Sequence, residues 1–188
     1  MVDDFSHLSV LISIVLGLGI TNLLTGLARV VQMRGRVKIF WPAIVWVFTL
    51  LLIHIQTWWS MFGLRGVETW TFFAFATQLM QPILLFFLSA LVLPDFDRDE
   101  ALDLRANYFA QTRWFFGMFC AVLFVSLLRN YSVSGHLQDE ADLAFHLVFF
   151  VGCVGGAIFT SESYHKVVAL LSAGVYVLYI ALLFTTLR

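Results

Sequence analysis

Residues 9–31 read SVLISIVLGLGITNLLTGLARVV, an apolar run that sets Ser9, Ser13, Gly17, Thr21 and Thr25 four residues apart, with Asn22 beside them. A spanning helix needs about 20 apolar residues, since each advances about 1.5 Å across a hydrocarbon layer of roughly 30 Å. Residues 8–28 carry no charge and meet that length. The stretch therefore predicts a membrane helix with a small, polar ladder along one side.

The rest of the chain repeats the apolar theme. Of 188 residues 61% are hydrophobic and 12% charged, about half the charged share of a soluble domain. Counting between charges gives spans at 8–28, 39–64, 69–94, 108–128, 143–161 and 167–187. The fourth spans if Arg113 extends its charged end to the headgroups. No run alternates as barrel strands do. The predicted fold is one all-α domain, 1–188, a polytopic bundle of six transmembrane helices.

Orientation follows from where lysine and arginine gather. With the N-terminus outside, Arg29, Arg34, Arg36, Lys38, Arg98, Arg105, Arg113 and Lys166 fall inside, and Arg65, Arg129 and Arg188 outside. Both termini are thus predicted on the outer, periplasmic or extracytoplasmic side. Trp41 and Trp114 fall at the inner boundary and Trp58, Trp59 and Trp70 at the outer one, where amphipathic rings prefer to sit. Trp46 lies well inside a span, and its indole N–H wants an acceptor. Asp3 and Asp4 stand where a cleavable signal carries positive charge, so the first span is expected to remain. The expected location is a bacterial inner (cytoplasmic) membrane.

Between lipid-soaked helices, close backbone approach and interhelical hydrogen bonds replace the hydrophobic force. The ladder Ser9, Gly17, Thr21 and Thr25, and Gly152 with Gly156 in the fifth span, are the predicted packing positions. They make helices one and five the expected inner members. Asn22 needs a partner and reads as glue between helices or as a ligand contact.

Helices two and three add Thr49, His54, Gln78 and Gln81, with Pro82 leaving the Gln78 carbonyl free of its usual helical partner. Span counting puts His54 and Gln78 at similar depth, roughly 12 to 14 Å below the outer end. Ser13, Gln78, His54, Gln81, Thr49 and Asn22 thus form a candidate polar track between helices one to three, or a knot of mutually satisfied groups. No Asp or Glu lies within a span, which argues against coupled cation transport.

Other constellations are weak. His54 and His146 are the haem candidates, as imidazoles on facing helices are the usual axial ligands in a bundle. The loop DFDRDE imitates a calcium loop at Asp95, Asp97 and Asp99, then fails at Glu100 and Ala106. Residues 98–111 instead suggest a surface helix with Leu102, Ala106 and Phe109 on the bilayer. Cys120 and Cys153 read as buried hydrophobes, and no internal repeat or enzyme motif is present. A net charge of -1 offers no face for nucleic acid.

Three functional readings follow, in this order. The first is a non-enzymatic assembly, accessory or sensory module working through helix packing with itself, as a homo-oligomer, or with a membrane-protein partner. The second is a passive channel or uncoupled small-solute carrier using the polar track. The third is a haem-binding redox protein; otherwise neither cofactor nor metal is expected.

Overall fold

The computed structural model describes residues 4–67, 69–94 and 102–183. Six helices are long and apolar enough to cross a membrane. They are α1 (Asp4–Gln32), α2 (Trp41–Ser60), α3 (Phe72–Val92), α4 (Leu104–Ser134), α5 (Glu140–Ile158) and α6 (Glu162–Leu183). The calcium-loop positions Asp95, Asp97, Asp99 and Glu100, together with Arg98 and Arg188, lie outside the described residues.

Local chemistry sets the ends. Pro42 stands in the first turn of α2, where its missing N–H costs no helical bond. A 3-10 turn, Met61–Gly66, continues the chain beyond α2. Thr71 caps α3 by accepting the Ala74 amide at 3.1 Å. Gly135 ends α4 with φ +73°, a conformation glycine adopts freely, and its N–H donates to the Tyr131 carbonyl at 2.9 Å.

Cross-helix bonds show that successive helices run antiparallel. Trp58 Nε1 donates to Ser13 Oγ, Arg129 to Ser60 and Tyr176 to Gln56, so these residues share a level near one face. That face carries the start of α1 and the end of α6 and is called the termini face below. At the opposite end Val37–Lys38 (β1) pairs in parallel with Leu102–Asp103 (β2). Lys38 approaches Asp103 at 3.6 Å, and Arg105 and Lys166 both reach Glu162 at 2.7 Å. Ionic contacts thus tie the three connections of that end together. The surface helix expected over 98–111 is replaced, in its described part, by β2 and the first turns of α4, with Leu104 and Tyr108 buried.

The centre of the bundle also differs from expectation. In α2 and α3, 44% of the apolar segment is buried, against 28% in α1 and 17% in α5. The inner helices are therefore α2 and α3, while α1 and α5 lie outside them. The inward side of α1 is Leu8, Ile12, Leu16, Gly19, Leu23, Gly26 and Val30, spaced by three and four. Thr21 and Thr25 are exposed, and a Cβ on Gly17 or Gly152 would meet open space. The hydroxyls stay satisfied without a neighbouring helix: Thr21 donates to the Gly17 carbonyl at 2.8 Å and Ser9 to the Ser6 carbonyl at 2.9 Å. Gly19 and Gly26 provide the close approach instead, Gly19 against the His54 ring and Gly26 against Leu93. In α5, Gly156 does pack inward, against the Phe116 ring.

The core near mid-bundle is aromatic. Trp46 meets Phe115, Phe116 and Phe119 edge-on at centroid distances of 5.3, 5.6 and 5.5 Å. Such geometry aligns ring edges with ring faces and adds to the burial of the rings. The Trp46 N–H finds no acceptor among the described residues.

Candidate functional site

The termini-face half of the bundle encloses a cavity of about 390 Å³ between α2, α3, α4, α5 and α6. Its position among these five helices follows from helical spacing. Ser126, Arg129, Asn130 and Val133 line it from α4, Gln138 from the connection that follows, and Asp142, Phe145, His146 and Phe149 from α5. Ile53, Gln56 and Ser60 come from α2, Gln78 and Gln81 from α3, and Tyr176 and Tyr179 from α6. Phe119 lines the inner end, backed by the Trp46, Phe115 and Phe116 rings.

Arg129 is the residue that sets this cavity apart from ordinary helix packing. It lies five residues inside the end of α4, and a guanidinium keeps its charge even when withdrawn from water. One Nη donates to Ser60 Oγ at 3.2 Å. Asp142, Tyr176 and Tyr179 stand within electrostatic reach of it. It forms no ion pair with a carboxylate among the described residues. Charged groups at such depth are costly, and they face the interior of a bundle or a water-filled space.

The remaining polar groups form a wall around it. Gln78 donates to the Arg129 carbonyl at 3.4 Å, and Tyr176 donates to Gln56 Oε1 at 3.2 Å. His146 Nδ1 lies 2.8 Å from the Asp142 carbonyl, which can only accept, so Nδ1 carries the proton. Nε2 lies 3.2 Å from Ser126 Oγ. Three acceptors on the wall, Gln81 Oε1, Gln138 Oε1 and Asp142 Oδ1, are buried without a hydrogen-bond partner.

Of the six residues proposed as a polar track, only Gln78 and Gln81 line this cavity. The others turn to separate partners. Ser13 accepts from Trp58, Asn22 donates to Ser89 at 3.3 Å, and Thr49 donates to the Val45 carbonyl at 2.9 Å. His54 is fully buried, its Nδ1 bonded to the Leu50 carbonyl at 2.7 Å and its Nε2 against Gly19. His54 and Gln78 therefore face different neighbours, α1 and α4. The haem candidates are likewise separated in their surroundings, His54 on Gly19 and His146 on Ser126. No group of three or more His, Cys, Asp or Glu suited to a metal ion occurs among the described residues.

The charge count puts Arg129 on the outer side, at the end of the fourth uncharged run, and so outside any site. The signal that marks Arg129 is the helical spacing of Ser126, Arg129, Asn130 and Val133, which continues α4 past the end of its uncharged run. His165 was also passed over. It is fully buried at the opposite end, bridging the Tyr108 hydroxyl at 3.1 Å and the Phe159 carbonyl at 2.8 Å, and it fastens the start of α6 to α4.

Comparison with protein-family models, with curated proteins and with solved structures gave no match.

Proposed function

We propose that this chain is a non-enzymatic integral-membrane binding module, sensory or accessory in character, that takes a small polar solute into the cavity around Arg129. The observation that carries the reading is that cavity: about 390 Å³, walled by five helices, with a charged group and unpaired acceptors facing it. Ligand sites commonly have volumes of roughly 300–1,000 Å³ and a few convergent polar groups. The excess of Lys and Arg in the opposite connections orients the termini face outward, in a bacterial inner membrane. Signalling would pass to a second copy or a membrane partner through helix contacts, for which the outward Gly17, Thr21 and Thr25 of α1 supply a small-residue surface.

A conduit is the competing reading, and the aromatic floor opposes it. Phe116 and Phe119 are buried and in contact with Trp46, so a solute entering at Arg129 meets packed rings rather than a polar exit.

Adjacent residues of α4 provide the test. Leu123 lines the cavity, whereas Phe124 is 67% exposed on the outer surface of the bundle. In a Cys120→Ala, Cys153→Ala background, Leu123→Cys is expected to react with a hydrophilic, membrane-impermeant maleimide and Phe124→Cys is not. Equal reaction at both, or none at Leu123→Cys, would overturn a solute-accessible cavity.

A further inference from the structure

We propose that the cavity recognises a small zwitterion: a molecule carrying an ammonium group and, a few atoms away, a carboxylate or phosphate. The inference rests on the reading of the cavity as a binding site and names the chemistry of its ligand.

Two opposite charges line one chamber without neutralising each other by contact. Arg129 and Asp142 interact across the cavity, yet no ion pair joins them. Beyond its bond to Ser60, the guanidinium retains N–H groups in the planar fork that matches a carboxylate or phosphate. Among the described residues, the buried unpaired groups on the wall are all acceptors. Gln81 is only 6% exposed, and its Oε1 has no donor; the same is true of Gln138 Oε1 and Asp142 Oδ1. A buried acceptor left unpaired costs free energy that a ligand donor recovers on binding. An ammonium group brings three donors and a positive charge to those acceptors.

Charge balance selects between ligand classes. A simple anion would satisfy Arg129 but stand against Asp142, and a simple cation would do the reverse. Among charged ligands, only one bearing both signs leaves the chamber neutral in a medium where an uncompensated charge is expensive. Tyr176, Tyr179, Phe145 and Phe149 add an apolar wall for the intervening carbons and a ring surface for the ammonium end.

Two sources share this chemistry: a free amino-acid-like solute and the phosphoethanolamine headgroup of a lipid. The test uses the full chain in phosphatidylglycerol nanodiscs, whose headgroup carries a single negative charge and no ammonium. Free α-amino acids and glycerophosphoethanolamine are titrated calorimetrically, with acetate and ethylamine as single-charge controls. A parallel arm adds phosphatidylethanolamine to the discs and follows retained lipid by native mass spectrometry. Binding in the first arm assigns a free solute; selective retention in the second assigns the headgroup. In either arm the zwitterion is expected to bind at least tenfold tighter than the controls, and Arg129→Gln and Asp142→Asn are each expected to weaken it at least tenfold.

Gln81→Leu guards against variants that fail to fold. It removes an unpaired acceptor, so the unliganded protein should melt at the same or a higher temperature while affinity falls at least fivefold. No zwitterion bound in either arm, equal binding of a single-charge control, or affinity unchanged in Gln81→Leu and Asp142→Asn would overturn the proposal. If Leu123→Cys still reacts selectively, such a result removes the ligand class alone. If it does not, the binding reading falls as well.

Discussion

At the scale of single residues, Gly19 shows why a membrane helix cannot be oriented from its small residues alone. The sequence offers Gly17 and Gly19 two positions apart, about 200° around the helix, and the ladder of hydroxyls favours the Gly17 side. In the fold the reverse holds, because hydroxyls such as Ser9 and Thr21 bond to their own helix and carry no information about which way it faces. The His54 ring occupies the place a Gly19 side chain would take, held there by its bond to Leu50. Gly19→Ala is therefore expected to destabilise the protein by about 1–3 kcal/mol through overpacking. Gly17→Ala meets open space and should change stability by less than about 0.5 kcal/mol. Equilibrium unfolding of both variants in mixed detergent micelles measures the difference. Arg129 gives the same lesson for charge: a count of charges marks it as a span boundary, whereas its helix continues to Ser134 and carries it into the cavity.

At the scale of elements, α4 depends on how it begins. Asp103 belongs to β2 and also caps α4, its Oδ1 accepting the Arg105 amide at 3.0 Å and the Ala106 amide at 3.1 Å. The Ala106 bond, and after it the Arg105 bond and the Lys38 charge, hold the Asp103 carboxyl below its ordinary value. A carboxyl whose pKa is lowered by folding contributes stability above its unfolded value, about 3.9, and loses it as pH falls through the folded value. The first turn of α4 should thus keep its amide-exchange protection from neutral pH down to about pH 4 and lose it at more acid pH. Asp103→Ala should expose the Arg105 and Ala106 amides to exchange at every pH. Asp103→Asn should retain most of that protection, since a carboxamide oxygen also caps, and should abolish its loss in acid. Equal protection in Asp103→Ala and the parent would remove the cap from any role. None of this clasp was legible beforehand, because a two-residue parallel pairing between Val37 and Leu102 has no periodicity to read.

At the scale of the whole molecule, the number of helices was legible while their neighbours were not. Hydropathy is a property of a segment along the chain, so six apolar runs announce six helices whatever their packing. Which helices lie inside depends on shapes matched between distant segments, such as Trp46 of α2 against Phe115, Phe116 and Phe119 of α4. That information is spread over the chain, and it put α2 and α3 rather than α1 and α5 at the centre. The three antiparallel helices between them, α2, α3 and α4, nevertheless place the 33–36 turn and the 135–139 connection on opposite faces of the bundle. Gly35 is exposed with open space around it, and Leu137 is 56% exposed. In intact cells with the native cysteines replaced by alanine, Leu137→Cys is expected to react with an impermeant maleimide, and Gly35→Cys only after the membrane is breached. The reverse pattern would invert the orientation, placing the Arg129 cavity on the cytoplasmic side with its geometry unchanged. Reaction of both in intact cells would break the six-span threading itself, since one face of the bundle cannot then lie behind the bilayer.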